Sequence, residues 1–227
     1  MKRFVMPDWR RIVMSLAGVI ICAVSVGVFK LAAMGVDPFQ SFMAGLDSIV
    51  PIGFGTLYMI VNAILLLFSI FADRHNIGIA TFINLFLLGY ITQFSYALLQ
   101  KWFPGPSMVF RAICLIIGIV VICFGSSLYM TADLGVSTYD AIAIVISGKW
   151  KIGKFKYVRI CTDLVCVISG CLLYVFAGNS VSDIPRIAGI GTIVTAFFMG
   201  PLIEFFNEKI ARPMLAQKQK GGTDNEY

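Results

Sequence analysis

Residues 34–39 read MGVDPF and residues 134–140 read LGVSTYD, and these two polar interruptions decide the fold. Each follows an apolar run long enough to cross a bilayer, and each precedes a second apolar run, residues 38–50 or 138–147. As helices these short runs would extend about 20 and 15 Å, against a hydrocarbon core of about 30 Å. The sequence therefore predicts two short helices, one after each interruption.

Both interruptions carry helix-start signals. Asp37 suits an N-cap, because its carboxylate can accept from free backbone N–H groups, and Pro38 suits the first helical turn. In the second copy, Ser137 and Asp140 have the spacing of a capping box. Two placements fit such helices: an interfacial helix lying along the membrane surface, or a re-entrant half-helix whose N-terminus points at a central site.

The composition identifies an integral membrane protein. Of the 227 residues, 59% are hydrophobic and 13% are charged, whereas soluble domains have about 45–50% and about 25%. We predict an all-α polytopic protein with six transmembrane helices, since an eight-span alternative would require the short segments to cross as well. The six predicted spans are residues 12–33, 54–72, 77–99, 109–130, 157–177 and 187–206.

The two halves of the chain align with one another. At an offset of one hundred residues Gly35 meets Gly135, and after an insertion in the second half residues 77–94 align with residues 188–205. Each half then holds three spans and one short helix. Because three is odd, the second repeat would be inverted relative to the first, as in many secondary transporters.

These alignments give the expected organisation of the chain. It comprises a cytoplasmic amino-terminal tail at residues 1–11, a first membrane repeat at residues 12–107 and a second membrane repeat at residues 108–212. A disordered cytoplasmic tail is predicted for residues 213–227, which are polar and contain glycine.

Charge placement predicts the topology. With six spans and the amino terminus inside, fourteen of the eighteen lysines and arginines are cytoplasmic. With eight spans, fifteen lysines and arginines would be cytoplasmic and three would be outside, so charge alone does not choose between six and eight spans. We expect a bacterial inner membrane protein with both termini in the cytoplasm and the lipid bilayer as its partner. Topology explains the net charge of +6, so no nucleic-acid partner is expected. The four residues outside are Lys30, Lys101, Arg111 and Arg186.

Polar residues inside membrane spans are costly and often functional, and several here pair across the repeat. Arg159 lies one helical turn before Asp163, so an i,i+4 ion pair is predicted. Interhelical hydrogen bonding is the structural alternative for the amides. The candidate substrate-binding residues are Asp37, Asn62, Asn84, Gln93, Ser137, Asp140, Arg159 and Asp163.

The sequence contains no nucleophile with an adjacent base, no phosphate loop and no cluster with metal-ligand spacing. We therefore expect no enzymatic activity, no cofactor and no metal.

Several motifs resemble one family. They are GVDPF, the Gly53–Thr56 entry to the second span, Asn62, LGVSTYDAI, the Arg159–Asp163 pair, Gly189–Thr192 and Gly200–Pro201. Over roughly residues 10–212 the chain is similar to the YczE/YitT-type bacterial integral membrane proteins. It is closer to the YczE branch, because it lacks the soluble carboxy-terminal domain common in YitT-like members. The resemblance implies a bacterial inner-membrane location and supplies no substrate.

Two functions fit these observations. The first is a small-molecule transporter or substrate-binding membrane permease, with a polar site between its two repeats. The second is a membrane accessory or regulatory protein that transports nothing and binds a protein partner through the basic loop at residues 149–159, KWKIGKFKYVR.

Overall fold

The structure, a computed structural model, describes residues 9–72, 77–153 and 155–216. Within these ranges the regular elements are all helical, and six helical segments are long and apolar enough to cross a membrane. The all-α polytopic fold with six candidate spans is therefore confirmed. These segments are Trp9–Ala32, Phe54–Ala72, Ile79–Trp102, Met108–Ala132, Tyr157–Phe176 and Val181–Met199.

The helices are α1 (Trp9–Ala32), α2 (Pro38–Ile49), α3 (Phe54–Ala72), α4 (Ile79–Ile83), α5 (Gly89–Trp102), α6 (Met108–Ala132), α7 (Thr138–Ile144), α8 (Phe155–Phe176), α9 (Ile184–Ile187), α10 (Ile190–Phe206) and α11 (Arg212–Ala216). A π-helical turn at Asn84–Leu88 joins α4 to α5, a second at Val145–Lys149 extends α7, and a third at Asn207–Ala211 joins α10 to α11. Because α11 continues to Ala216, the chain is helical for four residues of the segment predicted to be disordered; residues 217–227 lie outside the described ranges.

The centre of the bundle is an antiparallel pair, α1 against α6. The Ser25 hydroxyl donates to the carbonyl of Gly118 at 2.7 Å, and the Cys22 thiol donates to the carbonyl of Ile122 at 3.7 Å. These contacts put Cys22 and Ile122 at the same level, with Ala32 about 15 Å farther along α1 by helix rise.

Each short helix packs on a long helix from the other half of the chain. Helix α2 runs along α8, where a Cβ on Gly170 would lie only 2.5 Å from the carbonyl oxygen of Ser41. Helix α7 begins against Asn62 of α3, and beyond its π-helical turn Trp150 meets Phe68 edge to face at 6.0 Å. The short helices are thus held between spans along their length.

An extended segment precedes each short helix and hydrogen-bonds to the other half of the chain. Residues 34–37 form the first of these legs, and residues 134–137 form the second. In the first leg, the N–H of Val36 donates to the carbonyl of Ile187 at 3.4 Å, and that of Gly191 donates to the carbonyl of Met34 at 2.8 Å. The second leg accepts at the carbonyl of Leu134 from the N–H of Ala80 at 3.0 Å.

Glycine is required in both legs. Gly35 has φ +99° and Gly135 has φ +111°, a backbone region that costs other L-residues free energy. An added Cβ would lie 2.5 Å from the N of Gly189 in the first case and 2.5 Å from the N of Gly78 in the second. Both legs therefore need a residue without a side chain.

Single-cysteine labelling of a cysteine-free protein tests the topology. With six spans and the amino terminus inside, an impermeant thiol reagent added to intact cells should label Gly105→Cys, an exposed position between α5 and α6, and should spare Asn76→Cys. Residue 76 lies outside the described ranges. Permeabilised cells provide the control, because both cysteines should then react. The reverse pattern in intact cells would require eight spans.

Candidate polar site at the centre of the bundle

The starts of α2 and α7 meet at the centre of the protein. The rings of Phe39 and Tyr139, each one residue after the first residue of its helix, stack with centroids 4.8 Å apart. Asp37 caps α2 by accepting from the N–H of Gln40 at 3.1 Å, and Ser137 caps α7 by accepting from the N–H of Asp140 at 3.1 Å. The predicted N-caps are therefore present, and the contact places two positive helix ends at one point.

An ion-pair cluster lies beside this contact. The Arg159 guanidinium binds Asp140, and its Nε lies 3.3 Å from Oδ1 of Asp163, the predicted i,i+4 pair. The Tyr139 hydroxyl donates to the same Asp163 oxygen at 2.6 Å, and the guanidinium lies 4.4 Å above the Tyr139 ring. Arg159 therefore links the start of α7 to α8.

Asp140 has further partners. Its Oδ2 accepts from the Ser137 hydroxyl at 2.7 Å and from the Tyr129 hydroxyl at 3.3 Å, while Oδ1 binds Arg159. Such charge-assisted contacts compensate for removing a carboxylate from water.

A pair of buried amides completes the polar cluster. The Oδ1 atom of Asn62, which is 1% exposed, accepts from the Thr138 hydroxyl at 2.5 Å, and its Nδ2 donates to the carbonyl of Tyr58 at 2.8 Å. The Tyr58 hydroxyl donates to Oδ1 of Asn84 at 3.3 Å. Asn84 begins the π-helical turn of its span, and such turns are frequent at functional sites.

These groups surround a cavity of about 90 Å³. The volume is below the roughly 300–1,000 Å³ of drug-sized ligand pockets, so in this conformation the cavity fits an ion, waters or part of a solute. Three carboxylates, those of Asp37, Asp140 and Asp163, lie in or beside it with the single guanidinium of Arg159. Within the described ranges these acids are not arranged as a metal-holding group.

Seven of the eight predicted candidate residues belong to this cluster. Asp37, Asn62, Asn84, Ser137, Asp140 and Arg159 line the cavity, and Asp163 contacts two of its lining residues, Arg159 and Tyr139. Gln93 lies elsewhere. Its side-chain oxygen accepts from the N–H of Gly55 at 3.0 Å, at the start of α3, and its own side chain is exposed.

Aromatic residues were missed as candidates. Phe39, Tyr58, Tyr129 and Tyr139 all line the cavity. A signal for two of them was present, since Phe39 and Tyr139 follow their N-caps by two residues and are one hundred residues apart, matching the offset of the repeat.

Two residues of the basic loop at residues 149–159 contact other parts of the helix bundle. Arg159 is engaged with Asp140 and Asp163, and the Lys149 ammonium donates to the carbonyl of Ala72. Trp150, Lys151 and Ile152 are exposed. Of the described loop residues, Arg159 is therefore engaged inside the bundle, while residues 149–152 remain on the surface expected to bind a protein partner.

Six candidate spans and two short helices that begin at a shared polar cluster define a polytopic helical membrane protein. A family described as being of unknown function, DUF6198, matches residues 9–208, and the chain belongs to it.

Three relatives support this assignment. The uncharacterized protein YyaS of Bacillus subtilis (strain 168) is 21% identical over 90% of this chain and 96% of its own length. The uncharacterized membrane protein YczE of the same strain is 25% identical over 83% of this chain and 81% of its own length. An uncharacterized protein of Haemophilus influenzae is 26% identical over 82% of this chain and 78% of its own length. The predicted YczE-like identity is confirmed; no solved structure matches the chain.

Proposed function

We propose that the protein is a small-molecule transporter of the bacterial cell membrane, with its substrate path through the central polar cluster. The stack of Phe39 on Tyr139 carries the proposal, because it brings the starts of two short helices to one buried place. Interrupted helices whose half-helix N-termini meet near the bilayer midplane form the substrate and ion sites of many secondary transporters.

We propose further that the chain consists of two inverted repeats. The support is an exchange of contacts: Gly35 lies against Gly189 and Thr192, and Gly135 lies against Gly78 and Thr81 at matching distances. A two-fold axis relating the halves would produce this exchange. Since each half has three spans, such an axis would lie in the membrane plane, and both termini would be cytoplasmic.

The same geometry favours the re-entrant placement of the short helices. The carboxyl-terminal end of α1 lies about 15 Å from the level of Cys22, yet Phe39, seven residues later, lines the central cavity beside Cys22. The leg therefore returns toward the centre before α2 begins. Helices lying flat on opposite membrane surfaces would keep Phe39 and Tyr139 apart.

The two sides of the central cavity differ, as alternating access requires. On the side of Lys30 lies a cavity of about 490 Å³ that shares Gln40 with the central one. On the opposite side, Met14, Leu128 and Ala211 pack in an apolar cluster. We interpret this conformation as open toward the side predicted to be outside and closed toward the cytoplasm.

Uptake into proteoliposomes tests the proposal. A panel of radiolabelled succinate, citrate, phosphate, glutamate and lysine would be offered to the wild-type protein, and we expect at least one to accumulate. Asp163→Asn and Asp140→Ala should each lower that flux about tenfold or more, because each removes a charge-assisted contact of Arg159.

Glu208→Gln is the matched control, since Glu208 is exposed and far along the chain from the cluster. Its flux should equal that of the wild type. Wild-type flux in folded Asp163→Asn and Asp140→Ala proteins would refute the proposed path. Absence of any flux in the panel would favour the accessory function. A protein partner that binds the wild type, but not a variant with reversed charges at Lys149 and Lys151, would then support that function.

A further inference from the structure

We propose that the cavity beside Lys30 is an anion-binding vestibule, a site for a carboxylate or phosphate group separate from the central polar cluster. Its volume of about 490 Å³ is that of a small-molecule pocket. Of the described residues, three cationic side chains line it, those of Lys30, Arg111 and Arg186, and none of those lining it is an acid.

Two of these cations have no salt bridge to a carboxylate in the part of the chain that the structure describes, although Asp47 interacts electrostatically with Lys30 from farther away. Among the described residues, neither Lys30 nor Arg111 is within 4 Å of an acid, whereas Arg186 pairs with Asp183 at 3.2 Å. The half-buried Lys30 ammonium lies 3.1 Å from the ring centroid of Phe54, and Nε of Arg111 donates to the carbonyl of Pro106 at 3.1 Å. Cations without a salt-bridge partner in a concave site attract anions.

Gln40 supplies an independent sign of a ligand. Its side chain is 4% exposed and lines both this vestibule and the central cavity, and its Oε1 has no hydrogen-bond partner among the described residues. An unpaired buried amide oxygen costs free energy that a hydrogen-bond donor would recover. Turning the amide about its terminal bond would present its two N–H donors to an anion.

The residue equivalent to Gln40 in the other half does have a partner. At the repeat offset of one hundred residues, Gln40 corresponds to Asp140. Asp140 is occupied by Arg159 of the chain itself, whereas Gln40 faces the vestibule. One half of the protein thus fills this position with an internal ion pair, and the other half leaves it available for an external polar group.

Binding to the full-length protein tests this inference without requiring transport. The protein would be placed in nanodiscs of phosphatidylcholine, and citrate and inorganic phosphate would be added with choline chloride as the cationic control. We expect citrate or phosphate, and not choline, to raise the thermal midpoint. Lys30→Gln, Arg111→Gln and Gln40→Met should each weaken binding, the two charge removals about tenfold or more.

Lys101→Gln is the matched control, because Lys101 is exposed and does not line the vestibule. The thermal midpoint of each variant, measured without ligand, identifies any variant that fails to fold. Arg111→Gln is expected to fold, because Arg111 is only half-buried.

A second arm uses nanodiscs that also contain phosphatidylglycerol, with bound lipid counted by native mass spectrometry.

The arms separate the two sources of an anionic group. Binding of citrate or phosphate supports a dissolved anion; retention of phosphatidylglycerol alone, lost in Lys30→Gln, supports a lipid headgroup at the same site. If citrate, phosphate and phosphatidylglycerol all fail to bind, or if binding is unchanged in a folded Lys30→Gln, Arg111→Gln double variant, the vestibule is not an anion site. The identification of a bound dissolved anion as the transported solute rests on the proposed function, which the uptake assay tests separately.

Discussion

An Arg159→Gln protein is expected to unfold at a clearly lower temperature in detergent than the wild type. The substitution leaves Asp140 and Asp163 without their shared cation, and their side chains are only 21% and 15% exposed. Removing one partner of a buried ion pair costs about 3–5 kcal/mol. Because these groups are partly exposed, the expected loss in the free energy of unfolding is at the lower end, about 3 kcal/mol. Thermal unfolding followed by fluorescence size-exclusion chromatography measures it.

Neutralising the acids should restore stability. In Arg159→Gln combined with Asp140→Asn and Asp163→Asn, neither acid that pairs with Arg159 remains charged, so the melting temperature should recover most of the difference. Arg212→Gln is the matched single change, because Arg212 pairs with Glu204 at the exposed surface and such pairs contribute about 0–1 kcal/mol. A triple variant no more stable than Arg159→Gln would show that shape, and not charge, makes Arg159 necessary.

Gly35→Ala and Gly135→Ala are each expected to lower the melting temperature sharply and by similar amounts. Both positions have positive φ, which costs an L-residue about 1–2 kcal/mol, and in both an added Cβ would lie 2.5 Å from a backbone nitrogen of the other half of the chain. The clash adds to the backbone cost. The midpoint of thermal unfolding in one detergent reports the sum.

Gly178→Ala separates the two contributions. Gly178 also has positive φ, +86°, but an added Cβ there would meet nothing within 4 Å. It should therefore show the backbone cost alone. Equal midpoints for Gly178→Ala and Gly35→Ala would mean that the leg can move away from Gly189. A large effect at Gly35 and a small one at Gly135 would contradict the proposed two-fold relation.

The spans, the N-caps and the short helices were predictable because they depend on local chemistry. A bilayer fixes the length of an apolar run, and Asp37 and Ser137 cap the residues that directly follow them. The pair of Arg159 and Asp163 was predictable for the same reason, because one helical turn separates the two residues.

The remaining features depend on how the two halves pack. That Asp140 binds Arg159, or that Thr138 binds Asn62, follows from the placement of α7 between α3 and α8, which no local pattern encodes. Gln93 is a polar residue inside a predicted span, but that position alone does not specify whether its side of the helix faces the cavity. Gln40 gave no signal, since its significance is the absence of a partner in the folded protein.

The packing of α2 on α8 has a consequence for biogenesis. Helix α2 ends at residue 49, and α8 begins at residue 155. At about 5–20 residues per second, the ribosome needs on the order of 5–20 s to synthesise the intervening chain. During that interval Ser41, which is buried in the folded protein, lacks the surface of α8 against which it later packs. The nascent amino-terminal half is therefore an incomplete intermediate, and a chain truncated before α8 should be a substrate for membrane quality-control proteases.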